Sequence, residues 1–173
     1  SYVCTDLNSR YGGEKMAFSK TLAEMEQNVP DSDARKKLNA LFDEDSFNEL
    51  DKFLSADGAV GSVVSGYGTV NGATVYAYAQ DVSVKGGAVD KSAALKIKKL
   101  YELAAKNGAP VVAVFDSKGG DINEGMEVLA DYGDIIKASA AISGVVPQIA
   151  VITGVCAGAA AVIASMADVT IMT

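Results

Sequence analysis

The stretch VVAVFDSKGGDINEG, residues 111–125, decides how this chain is read. Val111 to Phe115 form an uninterrupted apolar run, the pattern of a strand buried on both faces. Pro110 leads into the run. Asp116, Ser117, Lys118 and the pair Gly119-Gly120 break it before a helix-like segment begins. Glycine lets a ligand approach the backbone and permits dihedrals that other residues avoid. N–H groups freed at a turn before a helix add to the helix dipole, and together they can hold a phosphate or a developing oxyanion. A tight strand-to-helix turn with no ligand has the same outline. So do a phosphate loop, a nucleophile turn and an oxyanion hole.

The same pattern recurs downstream. Pro147 leads into IAVIT (149–153), then a turn containing Gly154 and Gly158, then the short helical segment AGAAAVIASM (157–166). The interval from Gly120 to Gly158 nearly matches that from Pro110 to Pro147. Two parallel strand–turn–helix units of equal length place their glycine turns side by side at the strand ends. Ligands in open α/β sheets bind there. In the second turn, GVCAGA (154–159), Cys156 is a candidate thiolate at a helix N-terminus. Its apolar neighbours favour a packing cysteine instead.

Upstream, KSAALKIKKLYELAAK (91–106) has the spacing of an amphipathic helix, with Ala93, Ala94, Ile97, Leu100, Tyr101 and Ala104 on one face. Asp90 can cap its start, and Asn107-Gly108 can end it. AVGSVVSGYGTV (59–70) and ATVYAYAQDVSV (73–84) are rich in Val, Tyr and Thr and flank Asn71-Gly72, a strong hairpin signal. Gly86-Gly87 closes this stretch. Residues 14–54 read as helical and polar: EKMAFSKTLAEMEQ, a break at Pro30, then DARKKLNALF. The acidic FDEDSFNELDKFL (42–54) reads as a docking segment or helical arm. DVTIMT (168–173) begins another strand and stops inside it.

Composition narrows the chemistry. The chain contains no histidine, so Ser–His and Cys–His catalysis and histidine metal sites have no source within it. A formal charge of −7 argues against backbone binding of nucleic acid, which needs clustered Lys and Arg. Cys4 and Cys156 form neither a zinc spacing nor a disulfide framework. The N-terminus lacks an apolar signal core, and a reducing, cytoplasmic setting fits. The apolar region 142–166 is broken by Gly144, Pro147, Gly154 and Gly158, which makes it a strand plus helix rather than a membrane span. No GxxxxGK[ST] or GxSxG is present. Gly66, Gly68 and Gly72 run into a hairpin rather than a helix, so they are not a dinucleotide fingerprint. Glu124 and Glu127, one helical turn apart, are a candidate acid–base pair or surface glutamates at a helix start. Lys118 is either a partner for a ligand's negative charge or a solvated loop lysine.

Four ordered segments carry a family resemblance: FDEDSFNELD, GYGTVNGATVYAYAQDVSVKGG, DSKGGDINEG and SGVVPQIAVITGVCAGAAAVIASMADVTIMT. In this order they resemble the N-terminal half of the carboxyltransferase subunits of biotin-dependent acyl-CoA carboxylases and related acyl-CoA decarboxylases, over roughly residues 35–173. The family's usual form of the central motif is Asp-Ser-Gly-Gly-Ala-Arg-Ile-Gln-Glu-Gly. Here Lys118 replaces the first glycine, Gly120 the alanine, Asp121 the arginine and Asn123 the glutamine. Ala159 and Ala160 stand where Gly and Ala are common.

The resemblance implies an α/β, crotonase-like ββα superhelix (residues 55–173), incomplete at its C-terminus; by its own pattern, residues 1–54 form a helical arm before it. It implies carboxyl transfer between biotin, on a carrier protein, and an acyl-CoA of the acetyl, propionyl, methylmalonyl or glutaconyl class. In such a reaction negative charge develops on the thioester oxygen. Backbone N–H groups of Gly119 and Gly120, with the Gly158–Ala159 turn, would stabilise it. Gly86, Gly87 and Lys118 would contact the coenzyme A, and no metal is needed. The implied partners are the biotin carboxyl carrier protein and a C-terminal carboxyltransferase half or partner subunit, within a homo- or hetero-oligomer. Three alternatives stay open. One is a crotonase-type enoyl-CoA hydratase or isomerase with Glu124 or Glu127 as base. Another is a noncatalytic scaffold subunit of a carboxylase complex. The third is a Ser–Lys hydrolase using Ser117 and Lys118.

Overall fold

A computed structural model describes residues 31–54, 61–121 and 125–173. The helix expected over 14–27 and the candidate base Glu124 lie outside the described residues. The described elements are α1 (Asp33–Leu41), β1 (Asn48–Leu50), β2 (Val63–Val70), β3 (Ala73–Gln80), a 3-10 turn (Lys85–Gly87), α2 (Lys91–Asn107), β4 (Val111–Ser117), α3 (Glu127–Ile142), β5 (Gln148–Cys156), α4 (Ala159–Ser165) and β6 (Val169–Met172). The six strands lie in one sheet in sequence order. β1, β2 and β3 are antiparallel, and β3 to β6 are parallel.

Local chemistry accounts for these elements. Asn71 (φ 51°) and Gly72 (φ 78°) both take positive φ, as the two-residue turn between β2 and β3 requires. The Asp43 carboxylate accepts both of their N–H groups at 3.0 Å. Those bonds, Gly72's foremost, hold its carboxyl below the usual carboxylate range. α2 starts where Asp90 accepts the Ala93 N–H at 2.8 Å. It ends at Gly108 in the left-handed conformation. Its expected apolar face is buried as a whole.

The all-apolar run of β4 is explained by burial on both sides. Val111, Ala113 and Phe115 join a core with α2, α3 and α4. Val112 and Val114 face a second core that includes Ala34, Leu38 and Phe42 of the α1 region. Tyr78 meets Tyr101 and Phe115 edge-on at 6.1 and 6.0 Å. Full burial of a side chain of Phe115's size contributes roughly 1.5–3 kcal/mol.

The helical reading of residues 42–54 is corrected. This segment supplies β1, which pairs antiparallel with β2, and it lays the stacked rings of Phe42 and Phe47 (5.4 Å) on the sheet. The room for those rings is made by Gly66 and Gly68. A Cβ on Gly66 would overlap the Asn48 carbonyl and come within 2.5 Å of Phe47, and one on Gly68 would come within 2.8 Å of Phe42. Glu49 of β1 is paired with Arg35 of α1 at 2.8 Å. A division at 54/55 therefore runs through a single compact unit, which spans Asp31–Thr173. The interleaved aromatics looked like one face of a helix, but long-range contacts with β2 decide their conformation.

Gly66→Ala should lower the unfolding free energy by about 1–3 kcal/mol, the usual cost of overpacking. Gly133, inside α3 with nothing within 4 Å of an added Cβ, gives the control. Gly133→Ala should raise stability by roughly 0.5–1 kcal/mol. Urea titration of the three proteins checks both signs.

Candidate functional site

The two glycine turns meet as the repeated pattern implies. β4 and β5 pair in parallel to their ends, with Ser117 opposite Cys156. The Ala157 N–H reaches the Ser117 carbonyl at 3.4 Å. A Cβ built on Gly119 would lie 3.9 Å from the Ala157 carbonyl, and one on Gly158 would meet nothing within 4 Å. Among the described residues, the space beside both turns is open. Gly119 (φ 116°) and Gly158 (φ 63°) both lie where side-chain-bearing residues are disfavoured.

The backbone of the first turn is partly committed. Ser117 is fully buried, and its Oγ accepts the Gly119 N–H at 3.1 Å. The Val89 N–H donates to the Gly119 carbonyl, and the Asp121 N–H donates to the Val89 carbonyl, each at 3.1 Å. Val89 and Gly120 thus form a parallel bridge. In such a bridge the central residue's own N–H and C=O face the opposite way. Among the described residues, the Gly120 N–H meets no acceptor, and neither do those of Gly158 and Ala159. Beneath the strap lies α3. A Cβ on Gly120 would come within 2.7 Å of Val128 and 3.2 Å of Tyr132.

Gly86 and Gly87 form the third wall. The Lys118 N–H donates to the Gly86 carbonyl at 3.1 Å. A Cβ on Gly87 would overlap the Asp116 carbonyl. The aliphatic part of Lys118 lies over Gly86, 3.0 Å from where a Cβ would stand. Lys118 is exposed, and its ammonium makes no ion pair among the described residues. Ser117 is buried and Lys118 exposed, so the pair lacks the geometry of a Ser–Lys nucleophile. Burial pushes the Cys156 thiol up, which suits packing better than attack. Glu127 is exposed in the first turn of α3.

Three features of the site were missed in the sequence. Asp116, next to last in β4, has its carboxylate on Lys37 Nζ (3.1 Å) and on the Val155 N–H (3.3 Å), directly over Gly154, where any Cβ would collide with it. Gln80 of β3 accepts the Asp116 N–H at 3.2 Å. Lys85 lies 3.1 Å from Asp121 and 3.7 Å from Asp90. The sequence offered a signal only for Asp90, and that as a helix cap. A groove of about 440 Å³ between α2 and α3 is lined by Tyr101, Ala138 and Ile142 among others, but none of the turn residues borders it.

Comparison with known proteins bears on this geometry. Residues 32–173 match the carboxyl transferase domain. The propionyl-CoA carboxylase beta chain of Roseobacter denitrificans is 41% identical over 145 residues, which is 78% of this chain and 28% of that protein. The methylmalonyl-CoA decarboxylase subunit alpha of Veillonella parvula is 44% identical over 149 residues, again 78% and 28%. Among solved structures, transcarboxylase 12S with hydrolysed methylmalonyl-coenzyme A superposes with a TM-score of 0.77 at 39% identity, covering 80% of this chain and 29% of that one. The beta subunit of geranyl-CoA carboxylase from P. aeruginosa gives 0.73 at 26% identity, covering 79% and 27%. The chain belongs to the carboxyl transferase domain family, with the α/β crotonase-like fold that its motifs imply. It spans about 28% of the length of these curated relatives. Among the described residues no helix is long and apolar enough to cross a membrane.

Tyr132, under the strap, is buried, and its hydroxyl makes no close hydrogen bond among the described residues. Burial, reinforced by the neighbouring Cys156, pushes its phenol up to about 12. Burial also raises Tyr78 and Tyr101. A raised phenol means that the folded state holds the proton more tightly than the unfolded one. That stability is complete below the unfolded value of about 10 and is lost as pH rises through the folded value. Urea unfolding across the alkaline range should therefore show stability falling from about pH 10 upward. Tyr132→Phe should make that fall shallower without destabilising the protein at neutral pH.

Proposed function

We propose that this chain is the acyl-CoA-binding N-domain of a biotin-dependent carboxyltransferase or decarboxylase. The observation that carries the reading is the abutment of the two glycine turns. It brings the turn that carries Gly120, whose N–H meets no acceptor among the described residues, against the turn that carries Gly158 and Ala159. The thioester carbonyl of an acyl-CoA lies in the space beside both turns. When its α-carbon becomes an enolate, charge moves to the thioester oxygen, and fixed N–H donors stabilise it without reorganising. Gly119 contributes the left-handed backbone that turns the strap, while its own N–H stays on Ser117. Lys118, exposed and anchored over Gly86, faces the anionic coenzyme A along the Gly86-Gly87 edge.

This chemistry suits a site with no histidine, because the donors are backbone groups. Biotin on a carrier protein supplies or receives the carboxyl group from the other side. A C-terminal half or a partner subunit completes the site, in an oligomer in the cytoplasm. The acyl class follows the relatives, a propionyl-CoA carboxylase and a methylmalonyl-CoA decarboxylase.

Titration of the complete protein with acetyl-, propionyl-, methylmalonyl- and glutaconyl-CoA should show saturable binding. Failure to bind any of them at millimolar concentration overturns the proposal. Gly120→Pro deletes one donor and, like Gly120→Ala, sets a Cβ against Val128; relative to Gly120→Ala it should lower kcat for carboxyl transfer by roughly 100- to 1,000-fold while acyl-CoA affinity changes far less. Turnover of an enoyl-CoA with no biotin carrier present would place the protein among hydratases or isomerases instead. Full activity in the Gly120→Pro protein would remove the backbone donor from the mechanism.

A further inference from the structure

We infer that Lys85 is a positioning residue that clamps the glycine strap, an inference resting on the reading of Gly120 as a donor to the thioester oxygen. Lys85 carries a side chain yet takes φ 50°, a conformation that L residues avoid. In that conformation its ammonium lies 3.1 Å from Asp121 Oδ2 and 3.7 Å from Asp90 Oδ2. The two carboxylates are buried, with side-chain exposures of 7% and 6%, and the lysine is 39% exposed. Removing a cation that lies against two buried carboxylates takes compensation from both, and buried charge that loses compensation is unfavourable.

Each carboxylate belongs to a different part of the site. Asp90 caps α2 through the Ala93 N–H (2.8 Å) and also accepts the Ser92 hydroxyl (2.7 Å). Asp121 is the last residue of the strap, and its backbone N–H is held by Val89. Lys85 thus ties the long helix α2 to the end of the strap at one point, while Val89 grips the backbone on both sides of Gly120. What this arrangement leaves to be set is the aim of the Gly120 N–H. A donor used only as charge develops affects kcat more than substrate binding. Lys85 therefore acts through Gly120 rather than on the substrate.

The test uses the complete protein with its biotin carrier, and the variants Lys85→Met, Lys85→Arg and the charge-exchanged pair Lys85→Asp/Asp121→Lys. Amide hydrogen exchange is measured on the segment containing residues 116–121 without substrate, and kcat and KM are measured for acyl-CoA. In Lys85→Met, exchange at the strap should rise and kcat should fall by about tenfold or more, with KM within about threefold. Lys85→Arg should recover most of kcat. The exchanged pair should be more active than either of its single variants. Unchanged strap exchange in Lys85→Met overturns the clamp, as does a loss confined to KM or a Lys85→Arg protein no better than Lys85→Met. Faster strap exchange in a protein whose wild type transfers no carboxyl group supports the clamp and overturns the carboxyltransferase reading alone.

Discussion

Asp116 stands where three segments of the chain close on one another, and the arrangement of the site depends on that contact. Its carbonyl leaves no room for a side chain at position 87, and its carboxylate leaves none at position 154. The same carboxylate holds the Val155 N–H and Lys37 of α1. One residue thereby fixes the end of β4 against the 3-10 turn, the end of β5 and the opposite helical layer. A Cβ at either glycine would push these segments apart and open the gap between the two turns.

With that junction fixed, the proposed chemistry draws on the backbone. The chain lacks histidine, and the buried groups near the turns are poor nucleophiles: Ser117 is tied to Gly119, and burial raises the Cys156 thiol. What remains are N–H groups at a strap and at the start of α4. Such donors are useful because folding has already oriented them. Stabilising an oxyanion with them requires no rearrangement when charge develops. The parallel pairing of β4 with β5 brings the two turns together, and the Val89–Gly120 bridge leaves the Gly120 N–H facing away from Val89.

Charged groups hold the strap where the backbone alone would not. At Asp121 the acid is matched by Lys85 from the preceding turn. The exposed Lys118 lies on the other side of the same turn, with its stem over Gly86. The net result is a strap bounded by two lysines, one engaged with buried acids and one facing solvent.

Much of this was legible in the amino-acid sequence. The doubly buried strand at 111–115, the Asn71-Gly72 hairpin, the cap and face of α2, and the repeated glycine turn all follow from local patterning. Pleat, helical period and turn dihedrals constrain neighbouring residues regardless of the rest of the chain. The segment 42–54 was misread because its interleaved aromatics fit a helix equally well, until Gly66 and Gly68 are seen to receive them. Which N–H stays unbonded, why positions 87 and 154 must be glycine, and what Lys85 holds were decided only by tertiary structure. Each depends on an atom contributed from elsewhere in the fold, such as the Asp116 carboxylate over Gly154, and no local pattern encodes such a distance.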